Sequence, residues 1–583
     1  MVSRILREKY QRRYAAETGR NRPGSGFLRI LLIYPNTYNQ AMANLGFQSV
    51  YRLFNDHPDC CCERAFLPDK ADLAEHLRSG YPLVSLESGT PAREFELLAF
   101  SLSFENDYLH LPMIFTLAGI PLFRNERSPG DPLVLLGGVC AFLNPEPLAD
   151  IVDLVAVGEA EAILPTLLPA LILTQQTGNR DGLFNQKLPG IYVPGRVEVQ
   201  YHPDGTLADI PACVTRREYL KQLDDSASCS FILNEEAEFG QMFLTEVMRG
   251  CSRGCRFCAA GYIYLPPRER SLEGLLEQVE QGLCERQRIG LVGAAVADHA
   301  QIAALQQQIM ARGGEVSVSS LRLDALTALE AQQLQAAGLK TVAIAPEAGS
   351  QRMRDLINKN LDQAQILHAV ELLAAAGLMN LKLYFLIGLP TETPEDVAAM
   401  LTLVNQIRLI WRQAGRQRGQ LGTITLSVNP FIPKPATPLQ WCGMAAEKDL
   451  KKKLRQLQAG VAQLPNVQMI HEPVRAAILQ ALLARGDRRL GRLLPQIAAG
   501  GNLGQILKKH HLALDFYVTR QREPDEIFPW DVLDQGTRRD YLWQEYQKSL
   551  RGQLTSRCFD GCQRCGICVS RSASTERAHR KEP

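Results

Sequence analysis

FLTEVMRGCSRGCRFC, residues 243–258, decides the fold of this chain. Phe243–Val247 reads as a buried strand by its apolar content, and Gly250 breaks it into a loop carrying Cys251, Cys255 and Cys258. Three thiolates on one loop, separated by three and two residues, can hold three irons of a cubane 4Fe–4S cluster and leave the fourth iron open. Gly250 and Gly254 let the loop curl so that backbone N–H groups face the anionic sulfides. Zinc wants four ligands, and no fourth Cys or His stands beside these three.

Downstream of this loop, apolar runs alternate with helical patterns. Further strands are expected at Ile289–Val292, Glu315–Val318, Thr341–Ile344, Leu381–Leu386 and Thr423–Val428. With the first, they make six βα repeats and predict a TIM-type or partial barrel, (βα)6, over residues 241–441. The barrel ends in FIPKPATPLQW, residues 431–441. A mainly helical, Cys-rich C-terminal extension follows: residues 442–550, helical from Ala445 to about His511, and a tail of four cysteines at 551–583.

Upstream, Leu28–Tyr34, Leu83–Leu86, Leu97–Leu102, Leu133–Leu136 and Leu154–Val157 read as short strands. Helical stretches such as Gln40–Asn55 lie between several of them. This alternation predicts an α/β, Rossmann-like parallel sheet over residues 27–180. Gly137, Gly138 and Gly158 end two of its strands, on the edge where such sheets bind ligands. Residues 181–240 are punctuated by Pro and Gly and read as a linker with a small β element, and residues 1–26 as a basic arm.

The 583 residues carry 64 Lys and Arg against 62 Asp and Glu, so no global field calls for nucleic acid. Apolar runs such as Leu164–Leu173 contain Pro and are too short to span a bilayer. Met1–Arg22 has no apolar h-region. A cytoplasmic protein with no membrane partner is the expectation. Of fifteen cysteines, seven fall in two tight groups. The dispersed ones, Cys60, Cys61, Cys62, Cys140, Cys213, Cys229, Cys284 and Cys442, read as small buried core residues.

CxxxCxxC with an aromatic before its last Cys, after the first strand of a βα series, resembles the radical S-adenosylmethionine (SAM) superfamily. The resemblance covers residues 241–441 and implies cluster ligation by Cys251, Cys255 and Cys258, with Phe257 beside the SAM adenine. Ala345–Ser350 and the RMRDLINK that follows resemble the fourth-strand region, implying Glu347, Arg354 and Lys359 near SAM. Leu386–Thr393 resembles the fifth-strand segment, which brings Gly388 toward the adenine or ribose. The usual Gly-Gly-Glu after the second strand is replaced by Gly293–His299, where Asp298 is the substitute for the SAM amino contact. The exit, 429–441, resembles that of RNA methylthiotransferases and implies RNA as a substrate class. Residues 28–175 resemble a cobalamin-binding domain, in a family of uncharacterised fusions. The hallmark DxHxxG is absent, with Asn36, Thr37 and Tyr38 in its place, and His57, His76 and His110 read as ordinary surface or capped residues. Cobalamin binding and a retained fold that docks substrate or partner both stay open.

Cys558, Cys562, Cys565 and Cys568 pack four thiols into eleven residues, with Gly561 and Gly566 for the bends. Ferredoxin loops place consecutive thiols this way, whereas zinc ribbons split theirs into two pairs. A second iron–sulfur cluster, zinc, and free redox thiols are the three readings. Arg485–Arg489 and Arg4–Arg22 are phosphate contacts or a solvated face. The resemblance as a whole implies an enzyme that cleaves SAM to a 5′-deoxyadenosyl radical and draws on a low-potential electron donor. The alternatives are a cobalamin-dependent methyltransferase and an electron-transfer or assembly protein without SAM chemistry.

Overall fold

The computed structural model describes residues 3–19, 23–209, 215–318, 321–336, 338–559 and 561–568. Its first sheet comprises β1 (Leu28–Tyr34), β2 (Cys60–Phe66), β3 (Leu97–Ser101), β4 (Leu133–Gly137), β5 (Leu154–Ala156) and β6 (Ile191–Tyr192). The spatial order is β2-β1-β3-β4-β5-β6, parallel except for β6, which runs antiparallel to β5. Strand β1 is apolar apart from Arg29 because both of its faces are covered. Leu31 and Ile33 join one buried cluster, while Leu28, Ile30, Leu32 and Tyr34 join another. Strand order reverses between β1 and β3, and their carboxyl ends form the crevice where doubly wound sheets take ligands.

Helix α1 (Arg4–Ala15) packs onto this domain through Lys9 to Asp69 and Asp72 and through Arg13 to Glu236, so the basic arm is a docked helix. Helices α2 (Leu45–Asn55) and α3 (Ala160–Thr177) pack on the face of β1 that carries Leu32. Among the described residues, no helix is long and apolar enough to cross a membrane.

The barrel strands are β7 (Met242–Glu246), β8 (Arg288–Val292), β9 (Glu315–Val318), β10 (Thr341–Glu347), β11 (Asn380–Ile387) and β12 (Ile424–Pro430). They form two parallel sheets, β7-β8-β9 and β10-β11-β12-β13. The last strand, β13 (Val467–His471), extends the barrel inside the segment expected to be helical; it pairs with Ile424–Val428. Helix α4 (Arg539–Leu550) follows the extension and packs beside the barrel exit, its Tyr546 joining Trp441 in one buried cluster.

Three further expectations are corrected. Leu83–Leu86 contributes only a single bridge, Val84 to Pro91. Strand β2 fills its place in the sheet, with Cys60 and Cys62 buried in the core. The 485–489 basic run is neither solvated nor open to phosphate. Arg485 is buried, Arg488 pairs with Glu146 of the first domain at 2.9 Å, and Arg489 pairs with Asp487 at 2.6 Å. Among the dispersed cysteines, Cys140, Cys229 and Cys442 are buried, Cys61 is half-buried, Cys284 is exposed, and Cys213 lies outside the described residues.

Candidate active site

The loop after β7 runs out through a two-residue strand, Met248–Arg249, paired with Arg268–Glu269, and then turns at Gly250. Gly250 has φ +85°, and a Cβ there would meet the Tyr264 carbonyl oxygen at 2.5 Å, so the turn into the cysteines requires glycine. Cys251, Cys255 and Cys258 follow within one turn-rich loop. Backbone N–H groups face two of the sulfurs, that of Arg253 toward Cys251 and that of Ala260 toward Cys258, and each lowers its thiol, while Gly261 N–H donates to the Cys258 carbonyl at 3.2 Å. Burial pushes the Cys255 thiol up to about 12; the neighbouring Cys258 and Cys251 push the same way, and Lys359 opposes them. Three crowded thiols with N–H donors suit a cationic group that would take them as thiolates.

At the end of β10, Glu347 has φ +65°, in the left-handed region that a β-carbon disfavours. Its carboxylate meets Lys359 Nζ at 3.1 Å. Lys359 is held above the usual ammonium range: burial lowers it, but Glu347 and then Cys255 outweigh that. Asn358, Asn360 and Thr391 also have positive φ, so strained backbone gathers at this mouth. Gly388, φ +79°, closes β11, and its N–H donates to Glu392 at 2.8 Å. Phe257 packs against the buried cluster that holds Leu389, Phe431 and Trp441.

Two expected SAM contacts are committed elsewhere. Arg354 is buried and donates to the carbonyls of Ala348, Gly349 and Leu361 and to Gln351, so it pins the loop after β10. Asp298 pairs with Arg253 at 2.6 Å and with Arg322 at 3.4 Å. Neighbouring Asp324 is held down at about 2; burial raises it, but Arg322, Arg253 and Arg557 win.

The sequence reading missed Arg256, which lies between Cys255 and Phe257. Its side chain is fully buried and donates to Glu545 Oε2 at 3.1 Å, to the carbonyls of Asp355, Leu356 and Gln553, and to Thr555. An arginine inside a buried cysteine loop was the signal: a charge there needs several partners. Arg249 was missed as well. It ties Glu246 to Glu159 and Glu161, and thereby locks the first domain to the residues just before Cys251.

The C-terminal cysteines dock on this same loop. Cys558 N–H donates to the Ser252 carbonyl at 2.7 Å. Thr555 and Asn358 exchange hydrogen bonds, and Asn358 also reaches the Gly254 carbonyl at 3.1 Å. Arg557 pairs with Asp324 and lies 3.7 Å from Asp298. Among the described residues, no group of three Cys, His, Asp or Glu side chains is arranged to hold a metal ion as it stands.

A cavity of about 890 Å³ opens between the first sheet and the barrel, and it begins at Gly250, next to Cys251. Met242, Leu244 and Glu246 of β7 face it, while Phe243 and Val247 pack the other way against Leu275 and Val279. On the opposite wall, Leu32, Ala99 and Leu135 form a slot between α2 and α3. The lining is mostly apolar and includes no histidine. His76 is spent between Tyr10 and Tyr81, and His110 on the Pro35 carbonyl.

The family model described as radical SAM superfamily matches residues 245–404, and that described as radical SAM proteins, N-terminal, matches 46–194. The chain belongs to the radical SAM superfamily. The uncharacterised protein MJ0966 of Methanocaldococcus jannaschii is 30% identical over 440 residues, 75% of this radical SAM chain and 87% of its own length. Among solved structures, the cobalamin-dependent radical SAM enzyme OxsB with aqua-cobalamin bound is 14% identical over 64% of this chain and 51% of that one, at a TM-score of 0.41. OxsB with aqua-cobalamin and SAM covers 90% of this chain and 78% of that one, at 12% identity and a TM-score of 0.42. Methylornithine synthase covers 43% and 72%, at 14% identity and a TM-score of 0.27. This is an enzyme of the radical SAM class, and membership implies a 4Fe–4S cluster and SAM.

Proposed function

We propose that Cys251, Cys255 and Cys258 hold the SAM-binding cluster and that the enzyme acts on a ligand lodged in the cavity beginning at Gly250. The observation that carries this is that the cysteine loop joins two features: Gly250 at its start lines the cavity, and the Glu347–Lys359 pair bears on Cys255. When bound, a reduced site-differentiated 4Fe–4S cluster supplies the electron that cleaves SAM to a 5′-deoxyadenosyl radical. The chain's own residues do the rest. N–H groups of residues 253 and 260 face the sulfurs and favour the thiolates. Lys359 and Glu347 offer an ammonium and a carboxylate to the two charged ends of the SAM methionyl group, and Phe257 offers an aromatic face to its adenine. The mostly apolar wall keeps water from a reactive radical. That wall favours an apolar-bodied substrate, and the RNA substrate implied by the exit segment draws no support from it.

A second reading assigns the cavity to a corrinoid. It is supported by the slot between β1, β3, β4, α2 and α3 at the strand-order reversal, and by a volume near the upper end of ordinary ligand sites. The cobalt would have no protein histidine, since none lines the cavity.

Incubating the reconstituted, reduced chain with SAM tests the first reading: 5′-deoxyadenosine is the expected product, and its absence refutes the assignment. Gly46→Trp tests the cavity. Gly46 is the second residue of α2 and lines the cavity; a Cβ there comes within 3.2 Å of Asn44 Oδ1, the N-cap acceptor for Phe47 N–H, so the indole narrows the cavity once that cap oxygen gives by a few tenths of an ångström. Loss of product formation on the natural substrate with unchanged iron is expected. Bound hydroxocobalamin in the native chain, lost in this variant, would select the corrinoid.

A further inference from the structure

We infer that Cys558, Cys562, Cys565 and Cys568 hold a second iron–sulfur cluster, seated against the barrel's cluster loop, that passes single electrons to the first. This rests on the reading that Cys251, Cys255 and Cys258 hold that first cluster. The four thiols fall within eleven residues of one turn-rich loop, with Cys562 and Cys565 buried, Cys558 half-buried and Cys568 exposed. Consecutive thiols on one such loop are the ligand arrangement of ferredoxins.

The loop is built around its sulfurs. Arg564 Nε donates to Cys562 Sγ at 3.2 Å, while its other nitrogens hold Ser556 and the Arg557 carbonyl. An N–H on a cluster sulfur is one of the devices that tune such a group's potential. The Cys565 carbonyl accepts from Arg538 N–H at 2.9 Å. Gly561 and Gly566 take φ of +78° and +93° between the cysteines, and a Cβ on Gly566 would meet Arg538 Cγ at 2.7 Å.

Position supplies the role. The hydrogen bond from Cys558 N–H to the Ser252 carbonyl leaves the two cysteine groups one backbone contact apart. Four cysteines cap all four irons of a cubane, so no iron is left open for a substrate, and electron transfer is the chemistry that remains. The step is one electron out of the tail cluster and one into the barrel cluster, with no bond made or broken. An external low-potential one-electron donor, dithionite in the test, refills the tail cluster.

The experiment counts metals and electrons on the anaerobically reconstituted full chain. About eight irons and no zinc are expected, falling to about four in C562A/C565A and in C251A/C255A/C258A alike. Cys562 and Cys565 are buried, so C562S/C565S, which keeps the volume of both side chains, is a second tail variant that guards against misfolding of the alanine double variant. The chain is then reduced with dithionite, freed of excess reductant and given SAM. Each cleavage takes one electron from a cluster, and without substrate the radical takes its hydrogen atom from a C–H bond of protein or buffer and leaves a carbon radical there, so about two 5′-deoxyadenosines per native chain and about one per tail variant are expected. Zinc in place of iron, iron unchanged in the tail variants, or one product per native chain would each overturn the proposal. Iron unchanged in the barrel variant would overturn the first cluster alone.

Discussion

Replacing Cys251, Cys255 and Cys258 together with alanine abolishes formation of 5′-deoxyadenosine and removes the iron of one cluster. Each thiolate supplies one iron ligand, and no other cysteine stands on that loop. The nearest spare thiols belong to the tail, reached through Cys558, whose backbone is tied to Ser252. Iron analysis beside product chromatography checks the result. Retained SAM cleavage would show that the loop does not carry the cluster.

Arg256→Ala has the largest expected effect on stability. Arg256 and Glu545 are 0% and 1% exposed, and removing the arginine strips a buried carboxylate of one of its two cations, leaving Lys548 at 2.8 Å, at a cost toward the lower end of about 3–5 kcal/mol. The three carbonyls it serves lose their donor as well. Glu545 sits below the usual carboxylate range, with burial opposed by Lys548, Thr555 and Arg256, so the variant also raises its proton affinity. Three of the four tryptophans, Trp441, Trp530 and Trp543, lie in the neighbouring cluster. Their fluorescence in a urea titration reads the shift. In R256M/E545M the loss is smaller, because no charge is left unpaired. Equal losses in the two variants would show that the ion pair is not the source.

The barrel was legible because short runs rich in Val, Ile and Leu recur between helical patterns, several of them closed by Gly or Pro. Strand β9 (Glu315–Val318) has the predicted bounds, and most of the others shift by a residue or two. Strand β2 was not legible. CCCERAF places charges where a buried strand should have none, yet Arg64 is neutralised by Glu17 and Glu87, each at 2.6 Å, from distant parts of the chain. Strand β13 was hidden for the opposite reason: VQMIH is half solvated and is a strand only because β12 lies beside it. The cysteine loop could be read from spacing alone. The commitments of Arg354 and Asp298 could not, since a charged residue near a motif looks the same whether it waits for a ligand or pins a loop.

The reach of Arg256 to Glu545 also sets an order of assembly. The two residues are 289 positions apart. At about 5–20 residues per second of synthesis, the arginine exists for roughly 15–60 s before its carboxylate is made. Over that interval the ribosome carries a cysteine loop with no tail docked on it and no buried pair locking its geometry. Iron loading during translation would meet an open loop. Loading after release would have to pass residues 553–558, so the rate at which metal enters should differ between nascent and finished chains.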